Sequence, residues 1–554
     1  MNTRTVGTAG AFAGWHALVL WMAVAPAIAL GGPVQPAGPA AADRRLAAPF
    51  SFQPDKPRGR GPIIHPSMVR RLQLIGGGRP VKAWVFFTDK GVASPEEYNR
   101  AIQETAAACH PRMLRRRALR RSRPGLLDRQ DLPVVPRYVR AVEAGGARVH
   151  VVSRWLNGVS VRADQRQLAA IARLAFVRSI EPVRRARRVE PIAVPPASRG
   201  GQGSTTGSKG GFYGLSVDQL TQINLIAVHN QGFTGEGVVI GLLDTGFDRI
   251  HASFNDPLHP VRVVAERDFV DGDDVTSAQP GDPPGHTSHG TRVLSVIGAF
   301  WPGTLVGGAY DASFVLCKTE DTTSETPIEE DNFVAGLEFI EANGGDTATA
   351  SLGYSAFYTQ ADMDGRTAVT TLGVNVATAN GLHCVNSAGN GGHDGDPATS
   401  SISPPADAFQ VISVGAVTAD GTTAGFSSDG PTADGRIKPE VLARGVLTQT
   451  AFGTTGVSGA NGTSFSAPLL ASAVGCLVQA HPDWTVDQMR TYLFQTADRY
   501  ASTETTDPTF VRGYGIIDTL AALGGDCNGN GVDDAVDIAN GTAPDCDGNG
   551  VPDS

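Results

Sequence analysis

The chain is predicted to be an α/β protein: a doubly wound, mainly parallel sheet with helices on both faces, preceded by a small α+β domain. Beyond residue 212, continuous apolar runs such as "GVVIGLLDTG" (237–246) alternate with helical stretches, the pattern of parallel βαβ units covered on both sides. Upstream, strand-like and helical segments follow one another in roughly β-α-β-β-α-β order. Between them, "SRGGQGSTTGSKGG" (198–211) has the Gly/Ser/Thr composition of a flexible linker. The length of 554 residues suggests two to four domains, and 41% hydrophobic with 18% charged residues supports a sizeable core and excludes global disorder.

Residues 1–29 read as an export signal. Arg4 supplies the positive start, "AFAGWHALVLWMAVAP" (11–26) the apolar stretch, and Ala27-Ile28-Ala29 a small-x-small cleavage site. A membrane anchor is the alternative, but the run is short and interrupted by Gly14, His16 and Pro26. No later segment reads as long and apolar enough to span a bilayer, so the mature protein is expected to be secreted and free of the membrane.

The small domain is placed at residues 45–197. "VKAWVFF" (81–87) is strand-like, "ARVHVVSRW" (147–155) and "GVSVRA" (158–163) flank an Asn157-Gly158 turn signal, and "VRSIEPV" (177–183) is a further strand. "QRQLAAIARLA" (165–175) sets Leu168, Ile171, Leu174 and Ala175 at helical spacing.

Charge divides the two halves. Residues 44–188 hold 31 Lys+Arg against 10 Asp+Glu, about +21, whereas residues from 210 onward hold 12 against 43, about −31. The basic arm "MLRRRALRRSR" (113–123) lacks the interleaved aromatics of a nucleic-acid binder and belongs to an exported chain, so no nucleic-acid partner is expected. A charge run is ordinarily a solvated face. Here it could instead complement its acidic neighbour. Cys109, Cys317, Cys384 and Cys476 are scattered singly and read as small buried hydrophobes.

Three boxes carry the candidate chemistry. Asp244 ends the apolar run 237–244, at the rim where open α/β sheets place their sites. "GHTSHGTRVLSVIGAF" (285–300) puts His289 near the start of a helical run, with His286 as a rival lacking that context. "NGTSFSAP" (461–468) sets Ser464 at the start of "FSAPLLASAVGCLVQA", where Pro468 is tolerable only near a helix start and the helix dipole favours developing negative charge.

"DTGFD", "HGTRV" and "GTSFSAP" together resemble the signature boxes of the subtilisin-like serine peptidases (subtilases), over roughly residues 212–524. The resemblance implies a serine endopeptidase acting on proteins and peptides through an acyl-enzyme. Ser464 would be the nucleophile, His289 the general base and Asp244 its orienting partner. "HCVNSAGNGG" (383–392) resembles the family's Ala-Gly-Asn segment and nominates Asn390 as oxyanion donor beside the Ser464 N–H. "ATASLGYS" (348–355) resembles the strand lining the specificity pocket, making Ser351, Leu352 and Gly353 candidates to pair with extended substrate. Tyr354 stands where the family often has Gly. Activity is expected to fall below an ordinary histidine pKa of about 6.5.

Within this resemblance residues 45–197 look like a propeptide, longer and more arginine-rich than usual, that assists folding and inhibits the enzyme as its own partner. Its charge would steer it onto the acidic domain, an association that salt weakens. Autocleavage is expected within 199–212. An inert attachment protein is the rival reading, but it has no need of Asp244, His289, Asn390 and Ser464 together. The Ser-Glu-Asp acid peptidases lack a place for "HGT".

The tail, 525–554, is expected to bind calcium. "DCNGNGVDDAVD" (526–537) matches the template of oxygen ligands at alternate positions around a glycine: Asp526, Asn528, Asn530, the Val532 carbonyl, Asp534 and Asp537, with Gly531 at the turn. "DCDGNGVPDS" begins a second copy with Asp545, Asp547, Asn549 and Asp553. The copies resemble dockerin-type and thrombospondin-type repeats, which implies a calcium-dependent attachment partner. Cys527 and Cys546, at equivalent positions, could pair in an exported protein. Calcium is not needed for the chemistry.

Overall fold

The computed structural model describes residues 63–76, 78–183, 185–186, 211–321, 328–354, 358–524 and 541. The export signal, the linker up to residue 210 and the calcium template lie outside the described residues.

The amino-terminal domain is a four-stranded sheet ordered β2-β3-β1-β4, with β1 Val81–Phe87, β2 Arg148–Ser153, β3 Gly158–Ala163 and β4 Val177–Pro182, antiparallel throughout. Asn157 takes φ 51°, the left-handed turn conformation that the Asn-Gly pair signals. Its helices are α1 Pro66–Ile75, α2 Pro95–Ala108, α3 Pro111–Arg120, α4 Pro136–Ala144 and α5 Gln165–Ile171. α5 is capped by Asp164 and Gln167 bonding reciprocally, and it ends at Ile171, shorter than the 165–175 periodicity.

β1 is apolar on both sides because both sides are covered. Val81, Ala83, Val85 and Phe87 pack with the domain's own helices, while Trp84 and Phe86 join Val334 and Val369 of the carboxyl-terminal domain. The basic arm becomes α3, and it is no solvated face: Arg116, Arg117, Arg120 and Arg121 are all buried.

The carboxyl-terminal domain is a seven-stranded parallel sheet. In chain order its strands are β5 Val239–Asp244, β6 Arg262–Asp268, β7 Ser313–Lys318, β8 Thr347–Ala350, β9 His383–Ser387, β10 Ile412–Val417 and β11 Val441–Arg444, arranged spatially β11-β10-β9-β8-β5-β7-β6. The strand order reverses at β5, so the carboxyl end of β5, at Asp244, is the topological switch point. Helices α6 Ser288–Gly298, α7 Glu330–Ala342, α8 Val369–Ala379 and α9 Thr463–Ala480 cover the two faces. Ile240 and Leu242 point into the core built by α6 and α9, and Val239 and Leu243 into the core under α7 and α8. Gly241 lies against Ile340 so closely that any Cβ would collide with that side chain.

α9 corrects one expectation. It is long and apolar enough to cross a bilayer by composition, yet it is almost wholly buried inside the domain, so it is a core helix. Cys317, Cys384 and Cys476 are buried as expected, whereas Cys109 is half-buried.

Candidate active site

The switch point brings the three boxes together. Asp244 is fully buried at the end of β5, and its Oδ1 lies 2.7 Å from His289 Nδ1, on the first turn of α6. The same Oδ1 accepts from the Thr245 N–H at 2.7 Å, which holds the carboxylate plane in place. α6 can start this close only because residue 290 is glycine: a Cβ there would strike the Gly246 carbonyl and lie 3.0 Å from Asp244 Cβ. The rival His286 is engaged elsewhere, with Nδ1 3.1 Å from the Pro283 carbonyl and Nε2 3.1 Å from Asp282.

Ser464 is the second residue of α9 and is 2% exposed. Its backbone N–H belongs to the first turn and so has no intrahelical acceptor. The next ring, Phe465, stands with its centroid 6.0 Å from that of His289, which places the imidazole beside the start of α9. Ser464 Oγ is directed to the Ser351 carbonyl at 3.4 Å rather than to the imidazole. Pro468 sits four residues on, and it has no N–H for the Ser464 carbonyl. Ser351 Oγ supplies the missing donor at 2.8 Å.

Asn390 follows β9 and caps α9 from outside. Its Oδ1 accepts from the Thr463 N–H and from Thr463 Oγ1, both at 2.9 Å. A backbone N–H can only donate, so the atom facing it is the amide oxygen and Nδ2 points the other way. Nδ2 is buried and has no hydrogen-bond partner among the described residues. Gly462, at φ 140°, leaves the space open: a Cβ there would lie 3.3 Å from Asn390 Nδ2 and 3.7 Å from the Ser464 nitrogen. Asn390 Nδ2 and the Ser464 nitrogen therefore both border the space that the missing Gly462 side chain leaves.

Ser351 and Leu352 are buried at the carboxyl end of β8, where Asn386 Nδ2 donates to the Leu352 carbonyl at 3.0 Å. Tyr354 is fully enclosed, and its hydroxyl donates to Glu320 at 2.9 Å. The edge that carries an extended segment in this structure is a different one. Backbone Ile328–Glu329, just before α7, pairs antiparallel with Arg185–Ala186 from the amino-terminal side. Neither this edge nor Thr463 stood out in the sequence. The continuous apolar pattern of β1 was the available sign that the amino-terminal domain lies against a second apolar surface.

Residues 235–516 match the Subtilase family, and residues 82–194 match the Peptidase S8 propeptide domain of Bacteroidota. Subtilisin E of Bacillus subtilis (strain 168) is 32% identical over 306 residues, covering 55% of this chain and 70% of that protein. Subtilisin of Bacillus pumilus is 31% identical over 306 residues, covering 97% of its length. Fervidolysin from Fervidobacterium pennivorans, described as a keratinolytic enzyme related to subtilisin, shares the fold with a TM-score of 0.54 at 20% identity. That likeness covers 81% of this chain and 61% of fervidolysin. With half of its length in the family's domain and a propeptide domain ahead of it, the chain belongs to the subtilase family of serine endopeptidases.

Proposed function

We propose that the chain is the precursor of a secreted serine endopeptidase that hydrolyses protein and peptide substrates through Asp244, His289 and Ser464. The observation that carries this is the meeting of the boxes at the start of α9: an Asp244–His289 pair 2.7 Å long, a serine at the helix start, and an Asn390 Nδ2 without a partner among the described residues beside Gly462.

Each role follows from what the side chain can do there. Rotation about the Ser464 Cα–Cβ bond takes Oγ from the Ser351 carbonyl toward His289, and such nucleophile–base contacts are often loose before substrate binds. His289 accepts the hydroxyl proton as Ser464 attacks the scissile carbonyl, then delivers it to the leaving amine. Asp244 holds the Nδ1–H tautomer, so that Nε2 is the basic nitrogen, and stabilises the imidazolium. Asn390 Nδ2 and the Ser464 N–H receive the oxyanion of the tetrahedral intermediate. Water then hydrolyses the acyl-enzyme by the same proton relay. Extended substrate lies between Ser351-Leu352-Gly353 and the Ile328–Glu329 edge.

Residues 45–197 act as the inhibitory propeptide, cut from the enzyme within 199–212. Export rests on the leader sequence, and calcium binding with an attachment partner rests on the ligand template of the tail. The test is to incubate the purified full chain and Ser464→Ala with a peptide library, with and without calcium, and to sequence products and new N-termini. The reading fails if the wild type neither processes itself nor cuts any peptide.

A further inference from the structure

The arginines of α3 meet the peptidase far from its chemistry. Gly237, Gly344, Gly345 and Asp346 precede the amino ends of β5 and β8, whereas Asp244 and Ser351 lie at their carboxyl ends. Seven residues of extended chain from Gly237 to Asp244 span about 20 Å. On this opposite rim, Arg112 donates to the Gly344 carbonyl at 2.9 Å and the Gly237 carbonyl at 2.6 Å, and also pairs with Asp346. Arg116 pairs with Glu341 at 2.8 Å and donates to the Gly345 carbonyl. Arg120 donates to the Pro482 carbonyl at 2.7 Å and lies 3.6 Å from Asp346. Arg117 bridges Glu341 at 2.6 Å and the propeptide's own Asp131 at 2.7 Å.

The match is chemically specific. A guanidinium presents a planar fork of donors, and here carboxylates and backbone carbonyls are arranged to receive it, as a single ammonium could not exploit. The side chains of Arg116, Arg117 and Glu341 are at most 1% exposed. Removing one partner of such a pair leaves a buried charge uncompensated, which is costly, so the contact is strong against truncation.

We propose that this rim is a guanidinium-binding exosite of the peptidase, and that its occupant is the propeptide's own helix α3. Once the chain is cut in the linker, the exosite holds the severed propeptide in place without help from the catalytic cleft. This rests on the reading of residues 45–197 as an inhibitory propeptide.

The test uses the full chain as Ser464→Ala with a recognition sequence for an added protease inserted in the 198–211 linker. After the cut, the propeptide remaining on the peptidase is followed by gel filtration over time. No step requires the chain's own activity, so an inactive enzyme would leave this test standing. Among the described residues Arg112, Arg116 and Arg120 pair only with the peptidase half, so Arg112→Ala/Arg116→Ala/Arg120→Ala spares the Arg117–Asp131 pair inside the propeptide. Cooperative melting before the cut checks folding. Release is expected to accelerate at least about 100-fold in the triple variant. Should that variant not fold, Arg112→Ala, at a side chain 28% exposed, takes its place with at least about 5-fold expected. A folded variant releasing within twofold of the parent would overturn the proposal, as would a parent that separates as soon as it is cut.

Discussion

Asn390→Ala separates transition-state stabilisation from everything else the site does. Its amide is pinned by two hydrogen bonds from Thr463 through Oδ1, leaving Nδ2 buried and, among the described residues, without a partner. A donor held ready in this way is used when the oxyanion forms, so its loss falls on kcat rather than KM. Removing one such donor costs about 10²–10³ in kcat, or about 2.7–4 kcal/mol, a range that itself derives from a subtilisin. The Ser464 N–H survives as second donor, so activity is reduced and not abolished. The substitution also strips Thr463 of an acceptor, a loss of about 1 kcal/mol in stability that melting would register separately. Asn390→Asp keeps the acceptor for Thr463 but turns a negative oxygen toward the developing anion, and should fall below the alanine variant. The assay is kcat and KM of the self-processed enzyme on a chromogenic peptide. A kcat within fivefold of wild type, or a loss confined to KM, would refute the reasoning.

Asp244→Asn is expected to lower kcat about 10⁴-fold, because an amide facing His289 Nδ1 favours the tautomer whose Nε2 is already protonated. Near-normal turnover by that variant would remove Asp244 from the mechanism. His383, buried at the start of β9, has its pKa held well below the usual histidine range, first by burial and then by the Arg120 and Arg116 guanidiniums, with Asp346 nearby on the same rim. The unfolded chain therefore takes up the extra proton below about pH 6.5, so stability is whole above that pH and falls by about 1.4 kcal/mol per unit beneath it. His383→Leu should flatten the precursor's melting temperature between pH 5 and 7, and an unchanged slope would exclude this histidine. Salt is expected to act on encounter more than on release, because the Arg116, Arg117 and Glu341 side chains are shielded from solvent. Raising salt from about 0.1 M to 1 M should change release of the severed propeptide by less than about threefold, and a tenfold acceleration would contradict that shielding.

Much of the architecture was legible because it is written in local patterns. Continuous apolar runs marked the parallel strands, since a strand covered on both faces needs no polar alternation. β1 and β3 begin and end where their patterns do. Asp244, His289, Asn390 and Ser464 could be nominated because each sits in a short box whose glycines and helix start have local meaning. Helix α5 ended early, and α3 was read as a solvated or complementary charge run without its depth being visible.

Sequence alone therefore determined the fold class, the chain order of the candidate triad and the opposite charge of the two halves. Folding decided what depends on distance. It bonded His289 rather than His286 to Asp244, left Asn390 Nδ2 without a partner among the described residues, and turned Ser464 Oγ toward Ser351. It also buried Arg116, Arg117 and Arg120 of α3, and set Arg112, Arg116 and Arg120 directly against a rim whose acceptors are mostly backbone carbonyls. Every residue carries such a carbonyl, so no side-chain pattern announces a site made of them. Only the packing of β5, β8 and their neighbours could align them to receive a guanidinium.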